Sequence, residues 1–177
     1  MKNIALTFIL LLNFSGCTEN TMTQQSWSLK DSTGTTHDFP ASEKGKTTVI
    51  LFWATWCPYC KRLMPHLQSI IYQYGKELNL QVFALNINED GDAKEYIEEN
   101  GYDFLLFEEA EAVAQIYNIK GTPGLLVFDK KGQLVFDLRK VKQIEKSNLE
   151  DNPNWQKAIK LGPFWGSELR KTLETLK

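Results

Sequence analysis

From Val49 to Phe52 the chain is continuously apolar, and beyond it Leu63, Met64, Leu67, Ile70, Ile71 and Tyr74 recur every three to four positions. The first pattern predicts a strand covered on both faces and the second a helix with one buried stripe. Gly75 is placed to end that helix. Leu78 to Ile87 is apolar in both registers and predicts a second covered strand. Between Trp27 and Phe39, alternating runs flank Asp31-Ser32-Thr33-Gly34, a hairpin pattern. Asp92 with Glu95 forms an acidic capping box for a short helix ending near Gly101. Ala110, Val113, Ala114 and Tyr117 mark another helix, and the runs Leu125 to Asp129 and Gln133 to Leu138 flank the turn Lys130-Lys131-Gly132. Strands and helices in this order predict the α/β class, a central mixed sheet flanked by helices.

The stretch from Arg139 to Gly166 is harder to place. Asn152-Pro153 offers an N-cap and a first helical position, Gly162-Pro163 a stop, and Ser167 a cap for a closing helix carrying Leu169, Leu173 and Leu176. Trp155, Ile159 and Leu161 could form one apolar face. Trp155, Phe164 and Trp165 either cover a sheet edge or the base of the core, the ordinary fate of apolar insertions, or form a docking surface for a partner.

Composition narrows the function. A length of 177 residues suits one domain with a real core. A net charge of −2, without a basic stripe interleaved with aromatics, argues against a nucleic-acid partner. At the start, Lys2 precedes the apolar run Ile4 to Leu12 and then Asn13-Phe14-Ser15-Gly16-Cys17, a signal-peptide pattern too short to span a bilayer comfortably. Ordinary cleavage after Gly16 would want a small residue where Phe14 stands. Phe14-Ser15-Gly16-Cys17 instead resembles a bacterial lipobox, with Phe14 in place of the usual Leu, and a plain secretory signal is the competing reading. The expected organisation is a signal peptide over residues 1–16, lipidated Cys17 and a polar tether over 17–25, and one domain over 26–177. Either reading puts the domain outside the cytoplasm, where disulfide exchange is ordinary chemistry.

The chemistry sits at the strand-to-helix junction, Trp53-Ala54-Thr55-Trp56-Cys57-Pro58-Tyr59-Cys60-Lys61. The first turn of a helix presents unpaired N–H groups and the positive end of the macrodipole. A thiol held there, as Cys57 should be, falls below the free value of about 8.5 and becomes a nucleophile. Cys60, one turn further in, is placed to be more buried and to attack a mixed disulfide on Cys57. Pro58 suits the first helical position. Zinc is the competing reading of two cysteines at this spacing, but a structural site wants about four ligands. The chain holds otherwise only Cys17, His37 and His66, in unrelated contexts.

That junction resembles the active-site stretch of the thioredoxin superfamily. Ser28-Leu29-Lys30-Asp31 with Gly34, and then Lys44-Gly45-Lys46, resemble the lead-in of its membrane-tethered, extracytoplasmic branch typified by TlpA and ResA. Pro65 falls where thioredoxins kink the active-site helix, and Gly121-Thr122-Pro123 where they carry a cis-proline loop. The helix from Asp92 to Asn100 resembles the insertion of the TlpA branch. The resemblance implies a thiol-disulfide oxidoreductase whose Cys57 and Cys60 form the catalytic pair and the active-site disulfide. It implies that Trp56, Pro58, Tyr59, Thr122 and Pro123 bind substrate, with the loop backbone pairing with an extended chain. No cofactor and no metal are implied. The partners would be proteins carrying disulfides or oxidised cysteines, with a membrane redox donor, and the protein would be a monomer.

Departures from the family bear on direction. Leu51 stands where thioredoxins carry a buried Asp, Ala84 where its companion Lys stands, and Leu63 where relatives of ResA place a Glu, so no carboxylate is evident to take the Cys60 proton. Pro58-Tyr59 with Thr122 before the proline also resembles disulfide isomerases of the DsbG kind, which dimerise through a further domain that residues 18–46 are too few to build. A reducing oxidoreductase is therefore favoured over an isomerase. A copper chaperone of the Sco kind is the more distant alternative, since it spaces its cysteines by three residues and adds a His that neither His37 nor His66 matches.

Overall fold

In a computed structural model the structure describes residues 25–142 and 152–177. Cys17, the signal and lipobox pattern and nearly all of the tether lie outside them. Trp27–Lys30 (β1) and Thr36–Phe39 (β2) form the expected antiparallel hairpin. The central sheet is built from Thr47–Trp53 (β3), Leu80–Asn86 (β4), Leu105–Phe107 (β5), Gly124–Phe128 (β6) and Leu134–Asp137 (β7). Its order is β5-β4-β3-β6-β7, with β3, β4 and β5 parallel and β6 and β7 antiparallel, a mixed sheet. β5, only three residues long, had no periodicity of its own to announce it.

The helices are Pro58–Leu78 (α1), Ala93–Glu99 (α2), Glu111–Ile116 (α3) and Asn154–Glu174 (α4). Side chains alternate across β3, the middle strand, and that alternation divides the core. Val49, Leu51 and Trp53 point into one apolar layer with α1 and α4, while Ile50 and Phe52 point into the other with α3 and the hairpin. α2 starts as expected, with the Asp92 side chain accepting from Glu95 N at 2.8 Å.

Three expected boundaries are corrected. α1 passes through Gly75 and ends at Asn79, which takes the left-handed conformation (φ 47°) that closes a helix. α4 does not begin at Pro153, which is instead its N-cap, and it does not stop at Gly162-Pro163 or restart at Ser167; it is one helix with Pro163 inside. The reason is contact: a Cβ on Gly162 would lie 2.7 Å from the Arg62 carbonyl oxygen, and one on Gly166 would lie 2.8 Å from His66 Cβ. These glycines let α4 lie close against α1 rather than ending it. Residue 62 faces 162, 66 faces 166 and Tyr74 bonds Glu174, so the two helices run parallel, with their N-termini at the same end. The expected apolar face also splits. Leu161 and Trp165 are buried and Phe164 is partly so, but Trp155 (58% exposed) and Ile159 (43%) face solvent.

Candidate active site

The apolar pull of β3 and the helical stripe of α1 meet at Ala54-Thr55-Trp56-Cys57, and that meeting fixes the dithiol. Cys57 is the N-cap of α1, its sulfur accepting from Cys60 N at 3.2 Å, and Pro58 takes the first helical position. Cys57 N in turn donates to Ala54 O at 3.1 Å. Both cysteines are free thiols. Cys60 is fully buried as expected, but Cys57 is not exposed: only 1% of it reaches solvent. Capping pulls the Cys57 sulfur back over the first turn, and both cysteines join the apolar layer that includes Leu63 and Trp165, with Tyr59 packed against it.

Electrostatics divides the pair. Hydrogen bonding with the Cys60 thiol, helped by Thr122 and the Cys60 and Tyr59 amides, brings Cys57 down to about 6 against the opposing effect of burial. Burial, and then the neighbouring Cys57, push Cys60 well above an ordinary thiol. One sulfur is a thiolate at neutral pH and the other holds its proton.

The Thr122-Pro123 peptide is cis, as the resemblance implies and against an ordinary trans turn. Thr122 Oγ1 is buried and makes no regular hydrogen bond among the described residues, and the two sulfurs are the groups it acts on. Trp56 is 49% exposed and anchored by Nε1 donating to Asn88 O at 2.7 Å. Tyr59 lies against Trp165 with ring centroids 6.1 Å apart, and its hydroxyl donates to Asn154 Oδ1 at 3.2 Å. Of the sequence-derived site residues, Trp56 and Pro58 flank Cys57 in the chain, Thr122 acts on both sulfurs with Pro123 next to it, and Tyr59 packs on the apolar layer that holds them. His37 does not join them, because its ring nitrogens lie 3.0 Å from Asp31 and 3.0 Å from Glu43 on the opposite face of the sheet. His66, on α1, packs against α4 at Gly166.

Leu51, Ala84 and Leu63 are buried apolar neighbours, so the positions where relatives hold ionisable groups are hydrocarbon here. Burial, and then Cys60, raise Tyr96 of α2 above an ordinary tyrosine. Its ring packs on Trp53 at 5.7 Å, with Lys61 Nζ 5.1 Å from its centroid. Sequence reasoning placed the helix but not this side chain in the site. It also missed Glu89, whose carboxylate accepts from both the amide and the hydroxyl of Thr55. Neither has a local signal, since the contacts join residues more than thirty positions apart.

Known proteins share both fold and sequence with the chain. The thiol-disulfide oxidoreductase ResA of Halalkalibacterium halodurans is 29% identical over 94 residues, 52% of this chain and 53% of that protein. The chain therefore matches about half the length of such curated relatives. The thioredoxin domain of a thiol-disulfide oxidoreductase from Bacteroides vulgatus superposes with a TM-score of 0.55 at 20% identity, covering 65% of this chain and 84% of that one. StoA from Bacillus subtilis superposes with a TM-score of 0.53 at 21% identity, covering 72% of this chain and 96% of that one. These likenesses bear out the thioredoxin-like fold. With the Redoxin family model matching residues 18–152, the chain belongs to the Redoxin family, as a ResA- and TlpA-like member of the thioredoxin superfamily.

Proposed function

We propose that the protein is an extracytoplasmic thiol-disulfide oxidoreductase that reduces disulfides in other proteins through Cys57 and Cys60. The observation that carries the exchange chemistry is the split pair: a thiol lowered to about 6 on the helix N-cap, beside a protonated, fully buried thiol. The reducing direction rests on the family resemblance. The Cys57 thiolate attacks one sulfur of the substrate disulfide, a Cys57–substrate bond forms, the substrate S–S bond breaks, and the released sulfur takes up a proton. Cys60 then loses its proton and attacks the Cys57 sulfur. The active-site disulfide forms, and the substrate's second sulfur departs with the proton Cys60 gave up. Two electrons pass from the dithiol to the substrate, and a membrane redox donor restores the dithiol.

The Thr122-Pro123 loop would hold an extended substrate by backbone pairing, with Trp56, Pro58 and Tyr59 contacting its side chains. With only 1% of Cys57 reaching solvent, a slender extended segment is favoured over a globular surface. Lipid on Cys17 would hold the domain, as a monomer, at the membrane where its donor resides; stable anchoring takes more than one acyl chain. ResA of Halalkalibacterium halodurans, named a thiol-disulfide oxidoreductase, supports this class of reaction.

The test is turnover of a protein disulfide by the reduced protein. Wild type should reduce it with loss of its own two thiols, and Cys57→Ala should not. Reduction by Cys57→Ala at the wild-type rate refutes the assignment. For the anchor, Cys17→Ser should move the protein from the membrane to the soluble extracytoplasmic fraction or block processing, and an unchanged membrane fraction counts against it.

A further inference from the structure

A carboxylate on the loop after β4 grips the segment that carries the nucleophile. Glu89 accepts five hydrogen bonds: from Thr55 N, Thr55 Oγ1, Asn86 Nδ2, Asp90 N and Gly91 N. Two of these donors belong to the junction just before Cys57, and the others fold the loop around the same oxygens. The neighbouring contacts have the same sense. Asn88 O accepts from Trp56 Nε1 at 2.7 Å, Asn88 N is held by Glu111 of α3 at 2.8 Å, and Ile87 N donates to Trp53 O at 3.0 Å. Gly91 approaches so closely that a Cβ there would lie 2.7 Å from Thr55 Oγ1.

A carboxylate has about four lone-pair sites and no proton to give when ionised, so it suits a site where every neighbour is a donor. Glutamine could accept on one side only and would point an N–H at another donor. What the grip fixes is the path of Ala54-Thr55-Trp56. Ala54 O receives the Cys57 amide at 3.1 Å, which sets where the helix begins relative to the sulfur.

We infer that Glu89 is a positioning residue for the thiol chemistry: by clamping Thr55 it holds Cys57 over the first turn of α1, where the helix amides stabilise the thiolate. The inference rests on the reading of Cys57 as the nucleophile. It makes a prediction of sign. If Glu89 influenced Cys57 only through its negative charge, neutralising it would favour the thiolate and lower the Cys57 pKa. If it acts by position, loosening the clamp raises that pKa.

The experiment is the rate of Cys57 alkylation by iodoacetamide against pH, followed by mass spectrometry in the reduced full chain. Wild type is compared with Glu89→Gln, Glu89→Asp and Gly91→Ala. Gly91→Ala crowds the clamp without touching any charge, and Glu89→Asp keeps the charge but withdraws the oxygens by one methylene. The expected result is a midpoint raised in all three variants by about one pH unit, so that alkylation below both midpoints falls about tenfold. A lowered midpoint in Glu89→Gln with a wild-type midpoint in Glu89→Asp overturns the inference in favour of a charge effect. Wild-type midpoints in all three variants with lowered melting temperatures overturn it in favour of a structural role alone. A wild-type midpoint at the ordinary thiol value overturns the nucleophile reading itself, and this inference with it.

Discussion

Cys57 couples reactivity to stability at the level of a single side chain. Its pKa falls from 9.0 to about 6 on folding, so between those values the unfolded chain holds a proton that the folded chain lacks. The reduced protein therefore gains stability from Cys57 as pH rises from about 6 to 9.0, and loses that contribution as pH falls back through about 6. Cys60, raised by burial, works in the opposite sense above its ordinary value, where the unfolded thiol ionises first. Oxidation removes both groups, so the melting temperature of the oxidised form should lack this rise. A reduced form whose melting temperature shows no dependence on Cys57 across that window would contradict the lowered pKa. Because Cys60 is the first cause of the lowering, Cys60→Ala should raise the Cys57 midpoint while still letting Cys57 form mixed disulfides that cannot resolve. At pH 8, Cys60→Ala should trap substrates that Cys57→Ala does not; equal trapping by both variants would reverse the roles. The placement of the pair at the start of α1, with Cys60 buried, was legible from the cysteine spacing at a strand-to-helix junction. The near-complete burial of Cys57 was not, because it depends on the cap bond and on the packing of Tyr59 and Trp165.

Among the elements, α4 is where periodicity and punctuation disagreed. Leu169 and Leu173 announced a buried stripe, and the structure extends that stripe back through Trp165, Leu161 and Ala158. Gly162-Pro163 reads locally as a stop because glycine is a poor helix former and proline lacks an amide. Here close contact with α1 outweighs that local preference, and sequence alone does not say which helix will lie alongside. Gly75 reads locally as a stop too, but α1 runs through it to Asn79, whereas β3 and β4 follow from their apolar runs and the two hairpins from alternation and turn residues. The helix contact can be tested by overfilling it. Gly162→Ala places a methyl group 2.7 Å from the Arg62 carbonyl, a backbone atom that cannot turn aside, and should cost about 1–3 kcal/mol despite alanine's better helix propensity. Stabilisation in a denaturant titration would show that the close contact does not limit the packing. Trp155→Ala should change stability by no more than about 0.5 kcal/mol, since that ring faces solvent. A larger loss would mean that the ring is packed.

Across the whole molecule, the sheet separates two polar constructions that answer to different parts of the pH scale. The dithiol lies in the layer of α1 and α4, at the C-terminal end of β3. At the opposite end of β3, against the other layer, Glu43 joins the hairpin to the sheet. Its carboxylate lies 3.0 Å from His37 Nδ1 and 2.9 Å from Lys46 Nζ, and accepts from Gln81 of β4 and Ser42. Asp31, 3.0 Å from the other nitrogen of His37, extends the cluster to the hairpin turn. Burial alone would raise the Glu43 pKa, but the hydrogen bonds from Gln81, Lys46, His37 and Ser42 prevail and bring it down to about 2. A carboxylate lowered on folding contributes stability that is complete above its unfolded value of about 4.5 and disappears as pH falls through about 2. Asp31, also lowered, adds to the same slope. The protein should therefore lose stability steadily over that acid window. Glu43→Gln should flatten the slope, because the group no longer titrates, and lower stability at neutral pH by about 1–3 kcal/mol, because the amide leaves buried donors facing one another. The same substitution should leave the alkylation midpoint of Cys57 where it was, since a full sheet lies between the two sites. An unchanged acid slope in Glu43→Gln would remove Glu43 as its source. A shifted thiol midpoint would show instead that the two layers are coupled through β3.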